Sequence, residues 1–225
     1  SKTLHHLVLG SNVISEMLYD IEMAIFKKKL DKNNSSSHIF VCGLPRSGTT
    51  ILMNALYKTD QFASLTYRDM PFVISPNLWS KISDRNIKSM PAKERLHGDN
   101  IKVNIDSPEA LEEVFWRVKL KKEYIHSNKL IIHAADEETI NEYKNFVLLI
   151  LNKYKKKFYI SKNNNNILRL ESIIKAFPNC LILIPFRDPI QQANSLLTQH
   201  KNFTQIQKKD KFVKKYMEYL VHHEF

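Results

Sequence analysis

The sequence has few cysteines and no long hydrophobic run. Only two of its 225 residues are cysteines, Cys42 and Cys180, and each lies in an apolar, strand-like segment. This usage favours buried free thiols over a disulfide framework, so we expect a cytoplasmic protein. No stretch of about 18 apolar residues could span a membrane, and the first residues do not form a signal peptide. The sequence therefore predicts no integral membrane segment.

Acidic residues are outnumbered by basic ones, which bears on what the protein binds. Lys and Arg total 34 against 23 Asp and Glu, giving a formal net charge of +11. This balance favours anionic ligands such as nucleotides, acidic glycans or lipid headgroups, without choosing among them. No interleaving of arginines with aromatic residues marks a nucleic-acid face, so we expect no nucleic-acid partner. No His, Cys or carboxylate spacing is typical of a metal site, so we predict no metal.

Length and patterning indicate a single domain over residues 1–225. Residues 1–30 form an N-terminal helical segment, 31–37 a polar linker and 38–225 an α/β core. In the core, short apolar runs alternate with segments of helical periodicity, so we expect a three-layer fold with a parallel β-sheet flanked by helices. In the N-terminal segment, helical spacing predicts one inward face, formed by Ile14, Met17, Leu18, Ile21 and Ile25.

The stretch His38–Leu52 predicts an anion-binding loop. Ile39–Cys42 has the pattern of a buried strand, Gly43–Gly48 that of a loop, and Thr49 begins a helical pattern. Such a loop presents backbone N–H groups and the positive end of a helix dipole. The glycine spacing is that of the nucleotide-triphosphate loop G-x-x-x-x-G-K-[ST], but Thr49 replaces the lysine and the cation is Arg46. We therefore expect a phosphate-like ligand other than ATP with magnesium.

A second motif follows the most continuous apolar run, Cys180–Pro185. Arg187 leaves this predicted central strand within Phe186-Arg187-Asp188-Pro189, and Ser195 lies eight residues later on a predicted helix. The fork of guanidinium donors suits a phosphate group, and Ser195 lies about two helical turns along. A surface arginine and a helix serine bonded to its own backbone would give the same pattern. The anion-site interpretation depends on the two motifs occurring together.

Together the motifs resemble those of sulfotransferases that use 3′-phosphoadenosine 5′-phosphosulfate (PAPS). Leu44-Pro45-Arg46-Ser47-Gly48-Thr49-Thr50 resembles their 5′-phosphosulfate loop, and arginine in place of lysine is similar to the tyrosylprotein sulfotransferases and many bacterial members. Arg187 and Ser195 resemble the pair that holds the 3′-phosphate. The resemblance implies a P-loop-like nucleotide-binding sulfotransferase fold, PAPS as co-substrate, 3′,5′-diphosphoadenosine as product and no metal.

The resemblance also implies roles for individual residues. Arg46 and Lys162 would be catalytic, stabilising charge at the sulfate or the bridging oxygen. Relatives often have Lys-x-Pro-x-His where this chain has Lys162 and the run Asn163–Asn166, so the proline and histidine are missing. The residues expected to bind the nucleotide are Pro45, Arg46, Ser47, Gly48, Thr49, Thr50, Arg187 and Ser195.

The residue that takes the acceptor's proton stays open between two candidates. Several relatives place a carboxylate shortly after the loop cation, and others use a histidine further on. Asp69 and His97 occupy the corresponding regions. Asp69 can equally pair with Arg68 or cap a turn, and His97 can be an ordinary turn residue before Gly98.

Two later segments carry open interpretations. Residues 72–106 are irregular and either hold an acceptor site or lid or form a surface excursion. Ser107 and Pro108 predict a helix start, so three following glutamates are expected to complement its dipole rather than act as catalysts. These are Glu109, Glu112 and Glu113.

Rival functions stay open beside the sulfotransferase interpretation. One is a nucleotide-dependent phosphotransferase with a degenerate loop, and the other a non-catalytic nucleotide-binding protein. The chain stops 30 residues after Ser195, whereas relatives usually continue with a further nucleotide-binding loop, so we expect a domain incomplete at its C-terminus. The acceptor is open among carbohydrate, peptide, lipid and a small alcohol or amine, and the sequence predicts no oligomeric state.

Overall fold

The chain folds into helices and short strands in mixed order. The computed structural model describes residues 2–222 apart from 33, 35, 36, 87, 89, 90 and 96–100. In chain order the helices and strands are α1 (Lys2–Gly10), α2 (Asn12–Phe26), β1 (Ile39–Val41), α3 (Thr49–Tyr57), β2 (Phe62–Ala63), α4 (Pro76–Asn86), β3 (Lys93–Glu94), β4 (Lys102–Val103), α5 (Glu113–Tyr124), α6 (Glu137–Tyr154), β5 (Phe158–Lys162), α7 (Leu170–Ala176), β6 (Leu181–Leu183), α8 (Pro189–Lys209) and α9 (Lys211–Tyr219).

Four parallel strands form the sheet that carries the candidate site. Their order is β2-β5-β1-β6, and Ile39 of β1 pairs with Ile160 of β5 and Leu181 of β6. Parallel strands need long crossovers, which α3 and α7 supply. A separate two-stranded hairpin pairs Lys93 of β3 with Val103 of β4. The predicted parallel sheet flanked by helices is confirmed. The prediction that Cys180–Pro185 forms its central strand was wrong, because β6 ends the strand order among the described residues and Leu181 is exposed, whereas β5 and β1 are the inner strands.

The two faces of the sheet are covered by different helices. Phe40 and Tyr159 point to one face, where they join the large core with residues of α5 and α6. Val41 and Ile160 point to the other face, where they pack on Met53 of α3. Successive strand residues face opposite sides, so this alternation gives the predicted three layers.

The N-terminal helices pack into the same core as the sheet, but through a face that the sequence did not predict. Tyr19 and Phe26 are buried, and so is Glu22, whose carboxylate accepts bonds from the backbone N–H groups of Asn77 (2.7 Å) and Leu78 (2.9 Å). Glu22 thereby caps the start of α4. The predicted inward face was wrong, because Met17, Ile21 and Ile25 are exposed.

The expected helix start at Ser107 was also wrong. Helix α5 begins at Glu113, whose carboxylate is buried and lies against the guanidinium of Arg169 with N–O distances of 2.9 and 3.1 Å. Tyr124 and Asn163 also donate hydrogen bonds to this carboxylate. A buried carboxylate is tolerated when it is paired in this way. Glu113 lies in the first turn of α5, and its carboxylate also joins α5 to the segment after β5.

Its neighbour Glu112 is likewise a buried acceptor. It receives hydrogen bonds from the hydroxyl of Tyr159 (2.8 Å), the amide of Asn166 (2.9 Å) and the indole of Trp116 (3.2 Å). Two members of the asparagine run therefore have a structural role. The amide of Asn163 donates to Glu113 and that of Asn166 donates to Glu112, so both buried carboxylates have hydrogen-bond donors.

Both cysteines are free thiols. Cys42 is buried and Cys180 is partly buried, as predicted. Among the described residues, no helix is both long enough and apolar enough to cross a membrane. The cytoplasmic location stays a prediction.

A buried histidine at the start of β1 makes stability depend on pH. His38 is fully buried, its Nδ1 accepts a hydrogen bond from the backbone N–H of Tyr159 (3.2 Å), and its ring packs edge-on against Phe177. Burial lowers the pKa of His38 to about 4. The unfolded chain thus binds a proton near its ordinary pKa of about 6.5 while the folded chain does not.

We therefore expect the free energy of unfolding to fall by up to about 3 kcal/mol as the pH drops from about 6.5 to 4. Asparagine at this position cannot titrate and can still accept the Tyr159 bond, so His38→Asn should flatten that slope in urea titrations. His200→Asn, at an exposed position on α8, is the matched control and should leave the slope in place. An unchanged slope in His38→Asn would contradict this assignment.

Candidate active site

The loop Gly43–Gly48 turns sharply at both of its glycines. Gly43 has φ +123° and Gly48 φ +101°, which are left-handed conformations that side chains rarely adopt. Between them Arg46 also has a positive φ of +69°. Gly48 is the N-cap of α3, so the loop ends at the helix terminus where N–H groups lack intrahelical partners. The loop therefore has the backbone geometry of an anion cradle.

The second motif lies directly against this loop. The Nε of Arg46 donates to the hydroxyl of Ser195 (3.0 Å), and the side chain of Arg187 donates to the carbonyl of Arg46 (3.4 Å). Gln192, on the first turn of α8, donates to the carbonyl of Pro45 (2.9 Å). The structure thus brings Arg46 together with Arg187 and Ser195, which lie 141 and 149 positions later in the sequence.

A cavity of about 230 Å³ opens between these elements. Three arginines contribute to its wall, Arg46, Arg187 and Arg95, together with Gly48 and Thr50 at the start of α3. Three guanidinium groups around one small cavity favour an anion with several oxygen atoms. Arg95 was not among the predicted site residues.

The other loop residues hold the cradle in shape. The Ser47 hydroxyl is buried and donates to the carbonyl of Leu44 (2.8 Å), which closes the loop on itself. The Thr49 hydroxyl donates to the side-chain oxygen of Asn164 (3.4 Å). A third asparagine of the unusual run thus contacts the loop, at the place where relatives have a different motif.

Lys162 is the last residue of β5 and is only 8% exposed. It pairs in register with Val41, the last residue of β1, so Lys162 and the loop leave the sheet at the same edge. Ligands of parallel sheets collect at this edge. The predicted positions of the loop, Lys162 and Arg187 therefore converge, while their roles stay predictions.

The structure adds a carboxylate that the sequence interpretation set aside. Glu109 accepts a hydrogen bond from the hydroxyl of Tyr67 (2.6 Å) and lies 3.9 Å from the guanidinium of Arg95. Burial by itself raises the pKa of Glu109, but the charge of Lys162, the Tyr67 hydroxyl, the Ala110 N–H and Arg95 outweigh it and lower its pKa to about 2. Glu109 is thus an ionised carboxylate among the cations of the site.

No local signal could have identified this position. Glu109 is held by a bond from its own N–H to the carbonyl of Leu65 (3.1 Å), beside a bridge between Thr66 and Pro108. This pairing joins segments more than forty positions apart. From the sequence, Glu109 looked like a first-turn helix residue.

Asp69 lies in a different environment from the one its predicted role requires. It is fully buried in a 3-10 turn, where one carboxylate oxygen accepts from the N–H of Thr66 and the hydroxyl of Tyr154, both at 2.7 Å. The other oxygen is paired with the ammonium group of Lys153. This geometry does not support Asp69 as the base, because a proton acceptor must reach the acceptor substrate. His97 lies outside the described residues.

Among the described residues, no cluster of three or more His, Cys, Asp or Glu side chains could hold a metal ion.

Comparisons with known proteins match most of the chain to one family. A model described as "Sulfotransferase family" matches residues 38–224. Among solved structures, the chain is similar to the sulfotransferase STF1 from Mycobacterium tuberculosis H37Rv (type 1 form), with 11% identity and a TM-score of 0.45. That match covers 85% of this chain and 56% of the other, so the chain spans little more than half of that structure. A search of curated proteins found no match.

The buried partners of Asp69 predict a loss of stability when its charge is removed. Asp69→Asn keeps the shape of the side chain but leaves the ammonium of Lys153, whose side chain is 5% exposed, without its carboxylate. We expect the free energy of unfolding to fall by about 3–5 kcal/mol in denaturant titrations.

The matched control is Asp60→Asn. Asp60 pairs with Lys156 at 2.8 Å, but its side chain is 91% exposed, so the same substitution should cost less than about 1 kcal/mol. Equal, small losses in both variants would contradict a structural role for Asp69 and would return it to the list of candidate bases.

Proposed function

The chain belongs to the sulfotransferase family, and from that premise we propose that it transfers a sulfuryl group from PAPS to a hydroxyl or amine acceptor. The observation that carries the proposal is that Arg46 and Arg187 line one cavity at the end of the loop Gly43–Gly48, with Ser195 hydrogen-bonded to Arg46. The family match supports sulfuryl transfer in general, and the cation arrangement supports PAPS as the donor.

The residues present fit an anionic nucleotide. Backbone N–H groups at the start of α3 and the guanidinium of Arg46 would hold the 5′-phosphosulfate, with Pro45, Ser47, Gly48, Thr49 and Thr50 shaping that loop. Arg187 and Ser195 would hold the 3′-phosphate, since they adjoin the loop from the neighbouring strand and helix. When bound, PAPS supplies an activated sulfuryl group, and the protein contributes position and charge.

Two cations are placed to stabilise the charge that develops during transfer. Arg46 lies in the loop, and Lys162 ends the adjacent strand at the same edge of the sheet. In a site that is shielded from water, fixed cations stabilise negative charge on a leaving oxygen more strongly than they would in water. We assign this role to Arg46 and Lys162.

We assign the base to Glu109 in preference to Asp69. Its carboxylate lies 3.9 Å from Arg95, which lines the loop cavity, whereas Asp69 is enclosed by Thr66, Tyr154 and Lys153. Lys162 and Arg95 lower the pKa of Glu109, and any anion that they bind lessens their effect on it. Glu109 then becomes a better proton acceptor near neutral pH.

Thermal stabilisation by 3′,5′-diphosphoadenosine tests the nucleotide assignment. We expect this product to raise Tm in the presence of a chelator, by linkage worth about 2.7 kcal/mol at a hundred times its Kd. ATP with magnesium serves as the comparison ligand. If ATP with magnesium stabilises the protein and 3′,5′-diphosphoadenosine does not, the proposal is overturned in favour of a phosphotransferase. If 3′,5′-diphosphoadenosine binds tightly but no sulfuryl transfer is detected, the result favours a non-catalytic protein.

The 3′-phosphate contact can be tested separately with Arg187→Ala. We expect affinity for 3′,5′-diphosphoadenosine to fall by about 1.5–3 kcal/mol in calorimetry, because a charge-assisted contact is lost. Affinity for adenosine 5′-phosphosulfate, which has no 3′-phosphate, should change little. Lys201→Ala removes an exposed cation from the same helix, α8, and should affect neither ligand. Equal losses for both ligands in Arg187→Ala would show that Arg187 does not bind that phosphate.

A further inference from the structure

A second cavity of about 330 Å³ lies beside the loop cavity, and its character is different. Its wall is mainly aromatic and aliphatic, and Glu94 and Arg95 are its charged members; the apolar and tyrosine side chains are Tyr67, Val103, Phe203, Phe212, Val213, Tyr216 and Met217. We call it the aromatic cavity. Helices α8 and α9, the hairpin of β3 and β4, and the turn after β2 all contribute to this wall. A volume of this size accommodates a ligand of one or two rings.

The charged side chains in the wall of the aromatic cavity are those of the adjacent residues Glu94 and Arg95. Arg95 contributes to the walls of both cavities, so it lies between them. The hydroxyl of Tyr67 points to Glu109 at 2.6 Å, and Glu109 lies 3.9 Å from Arg95. Glu109, the carboxylate assigned as the base, therefore contacts two residues of this wall, Tyr67 and Arg95.

This arrangement decides among the acceptor classes that the sequence left open. A sugar in the aromatic cavity would bury several hydroxyl groups against apolar side chains, and each hydroxyl without a partner is costly. An aromatic ring would bury apolar area and pack edge-on or offset against Phe212 and Tyr216. A single hydroxyl placed beside Tyr67 and Arg95 would lie near the carboxylate of Glu109.

We propose, on the basis of the proposed function, that the aromatic cavity is the acceptor site and that the acceptor is an aryl alcohol of the phenol class. The acceptor's O–H bond breaks, and its proton passes to the Glu109 carboxylate. The phenol oxygen forms a new bond to sulfur, and the bond from sulfur to the phosphate oxygen of PAPS breaks. The electron pair of that bond leaves with 3′,5′-diphosphoadenosine, so the products are an aryl sulfate and that nucleotide.

Binding of 2-naphthol is the first measurement, because it does not depend on turnover. We expect calorimetry to detect 2-naphthol binding to the whole chain, alone and saturated with 3′,5′-diphosphoadenosine, and no binding of methyl β-glucoside under the same conditions. With PAPS present, mass spectrometry should detect 2-naphthyl sulfate and no sulfated glucoside. Equal use of both compounds, or preference for the glucoside, would overturn the acceptor class.

Val213→Trp tests the location of the site by filling the aromatic cavity. We expect at least a tenfold loss of 2-naphthol affinity, with the affinity for 3′,5′-diphosphoadenosine unchanged. Val13→Trp, at a position on α2 that is 66% exposed, is the matched control and should change neither affinity. Phe212→Ala removes part of the wall instead of adding bulk, and it should also weaken 2-naphthol binding about tenfold. Nucleotide binding reports that each variant is folded.

The outcomes separate this inference from the proposed function. If the nucleotide binds but 2-naphthol does not, or if 2-naphthol binds equally well to both cavity variants, the acceptor site is wrong and the function stands. If 2-naphthol binds and the cavity variants weaken it while the nucleotide fails to bind, the proposed function is wrong. In that case the aromatic cavity binds apolar ligands, but it is not the acceptor site of a sulfotransferase, so the inference is wrong as well.

Discussion

The parallel pairing of β1 with β5 on one side and β6 on the other is the constraint on which the site depends. Parallel strands end at the same edge, so the loop after β1, Lys162 at the end of β5 and Arg187 after β6 are brought together although they lie far apart in sequence. Each segment alone is ordinary. Arg46 and Arg187 share one cavity, and Lys162 ends the strand between them and β2, because backbone pairing fixes the register of these strands.

Buried carboxylates hold the segments around this edge. Glu113 joins α5 to Arg169 and Asn163, and Glu112 receives donors from Tyr159 and Asn166. Each of these carboxylates is satisfied by several donors, which is the condition under which a buried charge is tolerated. The asparagine run is therefore part of the structural support of the site, and it stands where relatives have a different motif. Glu109 differs from these structural carboxylates because its neighbours Arg95 and Tyr67 belong to cavity walls.

Prediction from sequence succeeded where the signal was local. The glycine-bounded loop, the apolar runs of the sheet and the helix that carries Ser195 each have a pattern set by neighbouring residues. It failed where the signal depended on packing. On α2, apolar residues at helical spacing indicated one inward face, yet Glu22 turns toward the core because it caps α4. The role of Asp69 as the base stays a prediction, and packing places its carboxylate between Lys153 and Tyr154, which no local signal indicated.

The sequence by itself determined the fold class, the glycine-bounded loop and the choice of Arg46, Lys162, Arg187 and Ser195 as candidates. These follow from backbone geometry and residue type, which adjacent positions specify. Only the tertiary structure decided which carboxylate lies beside the cations and where the aromatic cavity lies. Burial, charge pairing and cavity shape arise from contacts between distant segments, such as the one that joins Leu65 to Glu109. No local sequence pattern encodes such contacts, because they form only when all the segments of the chain have packed together.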